Sequence, residues 1–335
     1  MAAGVVKTLC DHARRSSPEL RFSSVWALKH LVTAAPAHVK MNVLEELGPG
    51  WLVSTIQGEQ RDMGTQTGGG VSIGLSTANA AGEQVDLLNP STMDLDEPVE
   101  DEVDHRDEDG EIMFDESSST LYQSSQLRST LQPTPPSFST KKYLSSIRDA
   151  EQNPVVKARR DEVAIQEQAL DLMRNFLTID GDEDCAPMLD HLFQQIGSTK
   201  IFELVTEKLT PLSFNKAGHR PIYRPTKVVH ATVQLLCHMS NSAPRHKQLL
   251  IAQRPLLQAW LPHFSHPDGR VRVACLWAVT SLTWMVDESD RRDARQRAAE
   301  LRSVGIEGVC RGLVGDGELD VKERAKTVAR QFDQL

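Results

Sequence analysis

The sequence predicts an all-α protein, a right-handed superhelical solenoid of stacked three-helix units interrupted by one long disordered acidic insertion. Three observations predict it. A helical pattern returns five times, prolines and glycines punctuate the chain between copies, and residues 58–155 are too polar and acidic to join a core.

The clearest copies read Trp26-Ala27-Leu28-Lys29-His30-Leu31 and Trp277-Ala278-Val279-Thr280-Ser281-Leu282. Aligned on one polar position, the five copies place His30, Asn175, His238, Ser281 and Gln331 together. Four residues earlier stand Trp26, Asp171, Gln234, Trp277 and Thr327. Six residues earlier every copy has a small residue: Ser24, Ala169, Thr232, Cys275 or Ala325. Two before and one after, every copy is apolar, as in Leu28 and Leu31 or Met173 and Phe176. Positions −6, −2 and +1 share one helical face, so each copy is a long helix with that face packed.

Between the long helices lie shorter ones. Pro36 starts a segment through Leu47, Pro49-Gly50 breaks it, and Trp51–Gln57 forms the next. Pro244 precedes His246–Arg254, Pro255 opens Leu256–Phe264, and Pro267-Asp268-Gly269 leads into the fourth long helix. Prolines suit first turns and corners. The predicted unit is thus short, medium, long.

The copies are 145, 63, 43 and 50 residues apart. The shortest spacing matches the ~40–47 residues of armadillo and HEAT units. The 63 leaves an excess near Thr210–Pro225, a loop bearing Pro and Gly. The 145 contains Gly68-Gly69-Gly70, an acidic run and Gln132-Pro133-Thr134-Pro135-Pro136-Ser137. Such sequence buries too little apolar surface to offset chain entropy, so disorder is expected there. The organisation is therefore repeats over 1–57, an insertion over 58–155 and repeats over 156–335.

The net charge of −9 misleads, because residues 94–116 hold thirteen acidic residues and one Arg, or −12. The remainder is −9 minus −12, or +3. No general nucleic-acid surface is indicated. Cys10, Cys185, Cys237, Cys275 and Cys310 form no CxxC pair, which suits a reducing compartment. No signal peptide is visible, and no apolar run is long enough to span a bilayer.

Motifs for chemistry are weak. Asp180-Gly181-Asp182-Glu183-Asp184 begins like a calcium loop, but Cys185 and His191 stand where Gly and Glu belong. His263 and His266 near Cys275 lack a second ligand pair, so a surface corner explains them better than a metal site. Arg291, Arg292, Arg295 and Arg297, mixed with Asp290 and Asp293, read as a solvated helix face. One GxSxG occurs, Gly70-Val71-Ser72-Ile73-Gly74, but it lies in the polar linker with no strand pattern before it and no helix pattern after it, so it is no nucleophile elbow; no HExxH, P-loop or GxGxxG motif occurs. No enzyme activity, metal or cofactor is expected.

The two Trp-Ala motifs resemble the third helix of armadillo repeats, where Trp and Asn ladders hold an extended peptide. Asn175 keeps the Asn; His30, His238, Ser281 and Gln331 depart from it. Arg21–Gly48, Ile165–Leu177, Val271–Val286 and Leu301–Ile306 resemble the C-terminal repeats of the armadillo subunit of the GID/CTLH E3 ubiquitin ligase. The chain begins mid-unit before Val5, so several upstream repeats are expected. The resemblance implies a non-catalytic scaffold in cytoplasm and nucleus, with other ligase subunits as partners and a groove for the substrate receptor. The alternative is an adaptor of the importin/catenin class that binds linear motifs. The expected groove residues are Trp26, His30, Asp171, Asn175, Gln234, His238, Trp277, Ser281 and Gln331. Trp lies off the packed face, so its ring can serve a partner while amides satisfy the partner's backbone.

Overall fold

The computed structural model describes residues 2–33, 35–58, 153–178, 185–214, 221–285 and 287–335. The expected insertion lies largely outside these residues, as does the acidic corner at 180–184.

The long helices of the five copies are α2 (Pro18–Thr33), α5 (Pro154–Phe176), α8 (Thr226–Ser240), α11 (Gly269–Thr283) and α14 (Leu319–Gln334). Each packs on the next, α2 on α5, α5 on α8, α8 on α11 and α11 on α14. α1 (Ala2–Ala13) precedes them and packs on α2. A second layer holds the paired shorter helices: α3 (Ala37–Leu47) with α4 (Pro49–Gln57), α6 (Ala186–Ile196) with α7 (Ser198–Leu209), α9 (Pro244–Ile251) with α10 (Arg254–Trp260), and α12 (Arg291–Val304) with α13 (Ile306–Gly312). Two helical layers around one core follow from amphipathic helices that must each bury a stripe. The chain has the predicted all-α armadillo-type solenoid architecture, with one short antiparallel β pair added at Ser213–Phe214 and Pro221–Ile222.

The predicted packed face is the buried one. Ser24 and Leu28, Ala169, Met173 and Phe176, Thr232, Leu236 and Met239, and Cys275, Val279 and Leu282 are all buried. The order short, medium, long does not hold. α12 has 14 residues against 7 for α13, and 15 for the long helix α11. The break assigned to Pro49-Gly50 falls one residue earlier, at Gly48, because Pro49 fits the first helical position. Gly48, Gly197 and Gly305 occupy the same corner in three units, with φ of 82, 92 and 95°. A residue with a Cβ is strained in that left-handed region, so the chain reuses glycine there.

Two sequence expectations fail in the second layer. His263 is buried, and its Nε2 lies 2.8 Å from the Leu209 carbonyl, so it is no surface corner. Trp260, His263 and Phe264 form the inward stripe of that segment, with the Trp260 and Phe264 rings 5.0 Å apart. Arg297 is fully buried rather than solvated. Its Nη1 and Nη2 donate to Asp290 at 2.9 and 2.8 Å, and its Nε donates to the Leu282 carbonyl at 2.7 Å.

Arg297 belongs to a recurring device. Buried cations reach from one helix to carbonyls at the C-terminus of another, where unsatisfied acceptors and the negative dipole end concentrate. Lys208 Nζ donates to the Gln57 carbonyl at 2.8 Å, Lys247 Nζ to that of Trp284 at 3.4 Å, and Lys40 Nζ to that of Thr178. Burial pushes the Lys208 and Lys247 ammonium groups down to about 8 from an ordinary 10.5. From pH 8 to 10.5 the unfolded chain then binds more protons than the folded one, so stability rises with pH over that window. The buried thiols oppose this from about pH 8, weakly at first and strongly above pH 9. Burial raises Cys10 and Cys237 from 9.0 to about 11, and Cys275 and Cys310 further, so unfolded thiols ionise first. A net gain in stability is therefore expected between pH 8 and 9, at most about 1 kcal/mol per lysine. Urea unfolding at about pH 7.5 and about pH 9 checks it, and a flat or falling midpoint would contradict it.

Candidate functional site

The nine expected groove residues all lie on the five stacked long helices, but they play different parts. Trp26 and Trp277 are 49% and 43% exposed. They are therefore not core residues. The Trp26 ring meets the exposed His30 ring at a centroid distance of 4.3 Å. Trp277 is covered on one face by Arg324 of α14, whose guanidinium carbon lies 3.3 Å from the ring centroid. Among the described residues Arg324 has no carboxylate partner, so its N–H edges stay available to an anion.

The middle of the row is turned inward. Asn175 is buried, and its Nδ2 donates to the Lys29 carbonyl at 3.2 Å and to Thr33 Oγ1 at 2.9 Å. Its Oδ1 accepts from Arg174 Nε and Nη2 at 3.2 and 3.1 Å. Asp171 takes Lys29 at 3.4 Å and Arg174 at 3.1 Å. These two residues hold α5 against α2, and their polar groups are engaged within the chain. Asn175→Ala is expected to cost about 1–3 kcal/mol, because the Lys29 carbonyl and the Arg174 guanidinium lose a buried partner. Chemical unfolding measures this; an unchanged midpoint would show that the contact is dispensable.

Gln234 and His238 are half-buried on α8. His238 Nδ1 lies 2.9 Å from the Gln234 carbonyl, which fixes Nδ1 as the protonated nitrogen. Burial pushes the His238 pKa down, against that hydrogen bond, which raises it. Gln331 Nε2 donates to the Thr280 carbonyl at 3.1 Å and so ties α14 to α11 beside Ser281. Sequence reasoning missed two exposed or stacked residues here. Arg324 stands seven residues before Gln331, and Trp284, which is exposed, stands seven after Trp277. That two-turn spacing was the available signal for Arg324; Trp284 follows the end of α11 in extended backbone, so helical spacing does not place it.

One constellation imitates a hydrolytic site. Ser242 Oγ lies 2.7 Å from His246 Nδ1, and His246 Nε2 lies 2.7 Å from Asp190 Oδ1. Ser242 is only 4% exposed, whereas the Asp190 side chain is 50% exposed and also bound by Arg245 at 2.5 Å. A nucleophile must be reachable and its orienting carboxylate shielded. Here the order is reversed, and the three residues clamp the α8–α9 corner to α6.

No protein-family model matches the chain, and no curated protein matches it. The chain is similar to a designed armadillo repeat protein solved in complex with the peptide (KR)4. The alignment has a TM-score of 0.51 at 10% identity and covers 98% of this chain and 82% of that chain. Another designed armadillo repeat protein aligns with a TM-score of 0.41 at 8% identity, covering 98% of this chain and 99% of that chain. The first of these likenesses shows an armadillo-like fold. Among the described residues no helix is long and apolar enough to cross a membrane.

Proposed function

We propose that the chain is a non-catalytic scaffold of a multi-subunit E3 ubiquitin ligase of the GID/CTLH type. Its row of long helices holds the substrate receptor for proteasome- or vacuole-linked degradation, in cytoplasm and nucleus. The observation that carries a partner-binding role is the outward pairing of Trp277 with Arg324 and of Trp26 with His30. These aromatic and cationic groups stand on helices whose opposite face is already buried, so a partner can use them without disturbing the core. The ligase context rests on the resemblance of Arg21–Gly48, Ile165–Leu177 and Val271–Val286. One observation favours a second reading, an adaptor of the importin/catenin class: Arg324 lacks a carboxylate partner among the described residues and would suit an acidic linear motif. Affinity purification of the full-length protein from cells separates them. Recovery of RING-type and LisH/CTLH subunits supports the scaffold, and their absence overturns it.

A further inference from the structure

We propose that the corner between α1 and α2 is a phosphate-binding site that takes a phosphorylated serine or threonine of a partner peptide. It lies apart from the Trp277–Arg324 surface. A cleft of about 190 Å³ opens there, with Arg14, Arg15 and Arg21 on one side and Trp51, Ser54 and Thr55 of α4 on the other. No residue lining it is acidic. Three arginines and no carboxylate line this one small space, so its local potential favours an anion.

The guanidinium groups differ in how much of their donor capacity is used. Arg15 is exposed and has no side-chain partner among the described residues. The Arg21 group is only 15% exposed, and its nearest carboxylate, that of Glu162, is 3.6 Å away, beyond hydrogen-bond length. Arg14 is the anchored one: Nη1 lies 3.3 Å from Asp11, and Nη2 donates to the Glu46 carbonyl. Ser54 gives its hydroxyl hydrogen to the Trp51 carbonyl at 2.9 Å and is not a donor toward an anion, whereas Ser16 also lines the cleft and adds a hydroxyl beside the arginines.

Size and chemistry narrow the ligand. Small-molecule pockets start at roughly 300 Å³, so this cleft fits one phosphoryl group rather than a nucleotide. Planar guanidinium forks match phosphate oxygens in pairs. A membrane surface is instead read by a spread of about 4–8 basic residues, not by three that line a recess. A phosphate carried on an extended side chain is the ligand that reaches into it.

The test uses the full chain and a labelled peptide Gly-Ala-pSer-Ala-Gly, its unphosphorylated twin, its Glu twin and inorganic phosphate, read by fluorescence anisotropy and competition. The phosphopeptide is expected to bind about ten-fold or more tighter than either twin, the usual worth of a lost charged hydrogen bond. Arg15→Glu is expected to weaken it at least about ten-fold with Tm unchanged, and Arg15→Lys by less, because the charge remains but the fork is lost. Equal binding of all three peptides, or an Arg15→Glu variant that binds like the parent, overturns the proposal. Inorganic phosphate binding as tightly as the phosphopeptide overturns the peptide assignment and makes this a free-phosphate site.

Discussion

Arg297→Ala is expected to destabilise the protein by about 3–5 kcal/mol, the range for breaking a buried ion pair from one side. The substitution leaves the Asp290 carboxylate, whose side chain is 4% exposed, without its guanidinium. It also strips a donor from the Leu282 carbonyl and another, at 3.3 Å, from that of Trp284. Both carbonyls sit at the C-terminal end of α11, where no further helical N–H can reach them. Arg297→Lys is expected to recover only part of the loss, because one ammonium cannot serve two carboxylate oxygens and two carbonyls in that geometry. Urea unfolding measures both. A loss under about 1 kcal/mol for the alanine variant would mean that water replaces the guanidinium at little cost.

Trp277→Ala is expected to weaken binding of the groove partner about thirty-fold, near 2 kcal/mol, while leaving the melting temperature almost unchanged. The ring is 43% exposed, so its removal opens no core cavity. It does remove the plate on which Arg324 rests, so the side chain that would meet a partner's carboxylate loses its position. Measuring the receptor's Kd and the Tm on the same variant decides the matter. Binding and melting lost together would make Trp277 structural. Asn175→Ala is the contrasting probe, since its amide is engaged with α2 and its effect should appear in stability first.

The contrast between Trp277 and Asn175 shows how far the sequence carries. The packed face was legible because a period of 3.6 residues places −6, −2 and +1 together whatever the neighbours are. The exposure of Trp26 and Trp277 did not follow from that geometry alone, because an aromatic off the stripe can still be covered by a neighbouring helix. What Asn175 touches did not, because Lys29 and Thr33 belong to a helix whose copy of the repeat lies 145 residues earlier. The Arg297 error has a different origin. Mixed Arg and Asp on α12 suggested solvent, yet Ala294, Ala298 and Leu301 flank Arg297 at helical spacing and mark an inward stripe. The same holds for His263, which lies on one stripe with Trp260 and Phe264. In both cases a single polar residue on a short apolar stripe outweighed the stripe in the reading.

Stacked repeats can be regarded as a one-dimensional chain of coupled units, and the buried cations bear on the strength of that coupling. Lys208 joins α7 to the end of α4, Lys247 joins α9 to the residue after α11, and Lys40 joins α3 to the second residue after α5. Each link ties one helix to the C-terminal end of another, and that of Lys208 crosses from one unit to the next, so opening a unit there also uncovers a charge and a carbonyl in its neighbour. That raises the penalty for a boundary between folded and unfolded repeats relative to purely apolar interfaces. Opening at the boundary that Lys208 spans is thus expected to be more costly than at a purely apolar one. A partner seated on one pair of long helices is therefore expected to slow hydrogen exchange in the adjoining unit that Lys208 ties to it.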